Sequence, residues 1–160
     1  MVSSNRSAGG PEAPVPDEDG DLSDLLGELR VLLMSAQLLT GFLITVPFSS
    51  GFGKIVAWEK WLFVATFAMA LTSLVLFSAP AVQHRLLRPL GDRPSFKRLA
   101  SLQTLAGAVC LSLALVFAAG LVLTEALGQF VGAIAASVLA LFITAFWWWL
   151  PLALRARRRL

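Results

Sequence analysis

The stretch LASLQTLAGAVCLSLALVFAAGLVL, Leu99 to Leu123, carries no charged side chain and decides the fold. Wound as an α-helix at about 1.5 Å per residue, it is long enough to cross the roughly 30 Å of hydrocarbon in a bilayer. Three further runs have the same character: VLLMSAQLLTGFLITVPF (Val31 to Phe48), WLFVATFAMALTSLVLFSA (Trp61 to Ala79) and FVGAIAASVLALFITAFWWWL (Phe130 to Leu150). The reading is an all-α membrane protein with four transmembrane helices.

Composition agrees. Hydrophobic residues make up 57% of the chain and charged residues 14%, and the mean hydropathy is +0.76, whereas soluble domains carry about a quarter charged residues. The four spans and their short connectors place the membrane domain at 21–154. A tail at 1–20 and a basic tail at 155–160 remain, too little for a second folded domain. The net charge of +3 comes from Lys and Arg set beside the apolar runs, so it reads as a topology signal and not as a nucleic-acid surface. Cys110 is the single cysteine, and no internal disulfide can form.

Residues 1–20 are rich in Ser, Gly, Pro, Asp and Glu and bury too little apolar surface to order themselves, so a disordered tail is expected. They lack the basic start and early apolar stretch of a signal peptide, which makes the first run an uncleaved span. Leu22, Leu25, Leu26, Leu29, Leu32 and Leu33 repeat at helical spacing, opposite Asp21, Asp24 and Glu28. This predicts a short amphipathic helix leading into span one, with Asp21 or Ser23 as its cap. Pro80 is expected to close span two and Pro151 follows span four. Trp58 and Trp61 at one end, and Trp147, Trp148 and Trp149 at the other, mark opposite headgroup layers.

Orientation follows from the basic residues. Arg85, Arg88, Arg93, Lys97 and Arg98 surround the middle connector and Arg155, Arg157, Arg158 and Arg159 the C-terminus, against Lys54 and Lys60 in the first connector and none in the third. The positive-inside rule then puts both termini and the middle connector in the cytoplasm.

Candidate sites are few. Small residues recur every fourth position at Ala106, Cys110, Ala114 and Ala118, and again at Gly128, Gly132, Ala136 and Ala140; in lipid such stripes let helix backbones approach, and these two are expected to face each other. Gln37 and Gln103 lie at similar depths, about 8 to 10 Å from the terminal end, and form a candidate intramembrane hydrogen-bonded pair. The segments QLLTG from Gln37 and QTLAG from Gln103 also hint at two related hairpins, with coincidence the commoner account. Glu28, Arg30, His84 and Arg85 form the densest polar cluster, in which Glu28 is placed to pair with Arg85 or Arg88; a lone histidine there is more often a solvated side chain than a proton acceptor. A proton- or sodium-coupled carrier needs an ionisable group within the bilayer, and none of the four runs has one. No His, Cys and carboxylate grouping suits zinc or haem, so no cofactor, metal or catalytic residue is expected.

The order Glu28-Leu29-Arg30-Val31-Leu32-Leu33, then Gln37, then Leu43-Ile44-Thr45-Val46-Pro47-Phe48 resembles the opening signature of a family of small bacterial four-span membrane proteins of unknown function, common in actinobacteria. Pro80 with His84-Arg85-Leu86-Leu87 resembles its second landmark. The match runs from span one through the middle connector and fades beyond it, and Met34-Ser35 stands where the family pattern has Pro-Gly. The resemblance implies a bacterial cytoplasmic membrane and the same four-helix layout, with no catalytic residue to carry over. Some similar proteins are labelled sodium/proton antiporters, an activity that the absence of an intramembrane carboxylate argues against here. The expected role is non-enzymatic, structural or interactive, with the lipid bilayer, a second copy or another membrane protein as partner. The alternative is an oligomeric transporter or channel subunit lined by Gln37, Thr40, Gln103 and Thr104.

Overall fold

The computed structural model describes residues 18–86 and 93–157, and the side chains of 27–86 and 95–157. All regular structure among them is helical: α1 (Glu18–Thr45), a 3₁₀ turn (Val46–Phe48), α2 (Ala57–Leu86), α3 (Arg93–Leu127) and α4 (Gln129–Ile143). A π-helical turn (Thr144–Trp149) carries α4 into α5 (Leu150–Arg157). Four stretches are long and apolar enough to cross a membrane: Gly27–Phe48, Ala57–Leu86, Ser95–Leu127 and Gln129–Arg157, with mean hydropathies of 1.9, 2.1, 2.5 and 2.2.

The helix ends follow local chemistry. Glu59, in the first turn of α2, accepts a hydrogen bond from the Val56 N–H at 3.0 Å, satisfying a donor that the helix start would leave unpaired. Gly128 joins α3 to α4 with φ +94° and ψ 161°, a backbone conformation essentially restricted to glycine, and so the third connector is a single-residue reversal. The amphipathic segment is continuous with span one, and the helix begins at Glu18. Asp21 and Ser23 are thus inside α1 rather than capping it.

Pro80 does not close span two. It lies within α2, which continues to Leu86, and it is fully buried. A proline inside a helix in water ends or kinks it, but a transmembrane helix has no alternative hydrogen-bonding solvent and neighbouring helices hold it through the defect. Pro151 likewise sits inside a continuing helix. The π-helical turn before it, in which the Leu150 N–H donates to the Ala145 carbonyl, widens the coil where the proline ring would otherwise crowd the preceding turn.

The helices are packed unequally. α2 and α3 run antiparallel along most of their length, α1 lies against α2 and touches α3 lightly, and α4 touches α3 but neither α1 nor α2 among the described residues. Two clusters form the core: Leu29, Ala36, Phe77 and Leu111 toward the terminal end, then Leu43, Phe63, Ala70 and Ala114 toward the other. Thr40, Thr66, Ser73 and Ser112 are buried among them, while Phe42, Trp61, Phe130 and Leu141 are well over half exposed. An interior that holds hydroxyls beneath an outer surface of large apolar side chains suits hydrocarbon as solvent, where Leu and Phe gain nothing by turning inward.

Candidate functional site

The polar groups at the terminal end do not converge. Leu29 takes the core-facing position, which turns Glu28 and Arg30 on either side of it outward, and both are exposed. Arg85 is also exposed, and among the described residues no ion pair joins it to Glu28. Arg88 lies outside the described residues. His84 is half-buried with its ring 5.9 Å from that of Phe96, tilted at 49°, so it packs the end of α2 onto the start of α3.

Gln37 and Gln103 are not paired. Gln37 is exposed on the outer face of α1, because Ala36 and Thr40 occupy the angular positions that meet the core. Gln103 points inward, and its Oε1 is buried without a hydrogen-bond partner, as is that of Gln83 on α2. Gln83 was not picked out from the sequence; its signal was an amide next to His84 in a helix that Pro80 does not end. The two-hairpin repeat loses support for the same reason. Gly41 faces open space, whereas a Cβ at Gly107 would lie 2.7 Å from Phe77 Cε1 and 3.2 Å from Leu76 Cβ.

The interior hydroxyls are closed upon their own helices. Thr40 donates to the Ala36 carbonyl at 2.7 Å, Thr66 to Leu62 at 2.7 Å, Ser73 to Ala70 at 2.8 Å, Thr104 to Ala100 at 2.9 Å and Ser112 to Ala108 at 2.7 Å. Each satisfies its donor without crossing between helices, so the three-helix core α1–α2–α3 is held by close packing of small residues.

The small-residue stripes are half as expected. Gly132 of α4 meets Thr124 of α3, and a Cβ on Gly120 would lie 3.3 Å from Ala136 Cβ, so the α4 stripe does face α3. The α3 partner is the Gly120–Thr124 face. Ala114 instead packs with Leu43, Phe63 and Ala70, and Ala106 is exposed.

Among the described residues no group of three metal-ligating side chains is present. The model for a family described as a family of unknown function (DUF6328) matches residues 12–151, which takes in the first three apolar stretches and the fourth as far as Pro151. No curated protein and no solved structure matches the chain.

Proposed function

The chain belongs to this family of unknown function, and from that premise we propose a non-enzymatic, multi-pass protein of the bacterial cytoplasmic membrane with a structural or interaction role. The supporting observation is the α1–α2–α3 core, in which each buried hydroxyl is spent on its own helix and small residues bring the backbones together. The alternative, a path lined by Gln37, Thr40, Gln103 and Thr104, requires these groups to share a face. Gln37 points away from the side to which Thr40 and Gln103 turn, and the hydroxyls of Thr40 and Thr104 are already donating.

Both termini and the middle connector are assigned to the cytoplasmic side, on the ten basic residues Arg30, Arg85, Arg88, Arg93, Lys97, Arg98, Arg155, Arg157, Arg158 and Arg159 against Lys54 and Lys60 at the other end. In liposomes holding purified protein, no proton or sodium flux is expected under an imposed gradient. Flux that Gln37→Leu or Gln103→Leu abolishes would overturn the non-transport reading. For orientation, Arg98→Cys and Lys54→Cys are made separately in a Cys110→Ala background; an impermeant maleimide applied to intact cells should label the second and spare the first, and the reverse pattern would invert the assignment.

A further inference from the structure

At the end opposite the termini, the last turn of α1, the first connector, the start of α2 and the final turns of α3 line a half-open cavity of about 320 Å³. That volume falls at the lower end of the range of small-molecule sites. Its walls are apolar, with Leu43, Phe52, Phe63 and Leu121 prominent, and two carboxylates, Glu59 and Glu125, complete the lining. Phe52 and Phe63 meet edge to face with centroids 5.1 Å apart.

Charge at this cavity has one sign. Glu59 is half-buried and fixed by the bond that its Oε2 accepts from Val56. Glu125 is exposed, and among the described residues no cation pairs with either carboxylate. Lys54 and Lys60, the basic residues of the same end, are exposed and form no part of the lining. We propose that the cavity binds a lipophilic organic cation, an amine or quaternary ammonium carried on a compact apolar body.

The apolar body replaces void with packing against the phenyl rings, and the charged head lies at the level of the two carboxylates, whose charge it offsets. A lipid acyl chain fits the walls but gains nothing from the carboxylates, and an anion is repelled by them. A calcium ion takes six to eight oxygen ligands and a magnesium ion keeps several of its waters, and a lining of phenylalanine, leucine and valine with two glutamates suits neither.

The test uses the full chain in a nonionic maltoside detergent, titrated calorimetrically with benzyltrimethylammonium against empty micelles, and with neopentylbenzene, its uncharged isostere. Saturable binding is expected for the cation and much weaker binding for the isostere. Glu125→Gln and Glu59→Gln should each weaken the cation about threefold, as partly exposed charge partners do. Gln at position 59 keeps an acceptor for the Val56 N–H, so both variants retain the fold, which thermal melting verifies. Ala118→Leu, which fills the cavity, should weaken cation and isostere together. Equal affinity for the isostere, binding indifferent to both Gln changes, or no saturable heat would each overturn the proposal.

Discussion

Replacing Gly132 with Ala should loosen α4 from α3, and the geometry sets how far. A Cβ at position 132 would lie 2.7 Å from the backbone N of Thr124 and 2.8 Å from its Cα, with the Thr124 hydroxyl also in the way, where ordinary contacts lie at 3.4–4 Å. The obstacle is mainly backbone of a neighbouring helix, so a rotamer change cannot clear it and the two helices must separate. Overpacking of this kind costs about 1–3 kcal/mol, against which the better helix propensity of Ala returns up to about 1 kcal/mol. Because backbone cannot give way, the cost lies at the upper end of that range and the expected net loss is about 2 kcal/mol, concentrated on α4 because that helix has no second neighbour among the described residues. Thermal unfolding followed by circular dichroism in detergent reads the loss. Gly41→Ala is the control, since nothing lies within 4 Å of a Cβ there, and it should melt at or above the native temperature. Adding Thr124→Ala to Gly132→Ala removes the hydroxyl but not the backbone, so it should recover only part of the loss. Native stability for Gly132→Ala, or full recovery in the double variant, would refute a backbone-limited contact.

Three further expectations use the same assay. Gly107→Ala drives its new methyl into the buried Phe77 ring and should lower stability; Phe77→Leu, which shortens that ring, should cost less in the Gly107→Ala background than in the native one. Gly128→Ala forces a Cβ onto φ +94° and should cost about 1–3 kcal/mol, with the α3–α4 reversal opening before the rest of the bundle in hydrogen exchange. Gln103→Leu removes an amide whose oxygen is buried without a partner, so its stability should be unchanged or slightly higher; a loss above about 1 kcal/mol would mean that the amide has a partner in the membrane.

What could be read from the sequence, and what could not, divides along one physical line. Hydropathy is a property of a segment and needs no partner, so the four spans, their order and the tryptophan-bearing ends were legible from single runs such as Leu99 to Leu123. Facing is a property of phase. A residue repeated every fourth position advances 40° beyond a full turn at each step, since about 3.6 residues complete one turn. Ala106 to Ala118 therefore winds about 120° around α3, and its members end in different places: Ala106 outward, Ala114 against α1 and α2, Ala118 at the cavity. Phase also parts Gln37 from Gln103: similar distances from the helix ends say nothing of facing, and one is exposed on α1 while the other turns inward on α3. The spacings that do mark the core mix threes and fours, as in Thr66, Ala70, Ser73, Phe77 and Pro80 on α2, all buried, and that alternation follows the helical repeat closely enough to stay on one face. Pro80 ends that series, and its place there follows from the solvent: a rule for helix ends drawn from water does not hold where an ended helix would expose its backbone to hydrocarbon. The cavity opposite the termini lay beyond sequence reasoning for a further reason, because it is assembled from the last turn of α1, a connector and the opposed ends of α2 and α3. Glu59 and Glu125 are far apart in the chain and become neighbours of one cavity only when α2 and α3 align antiparallel.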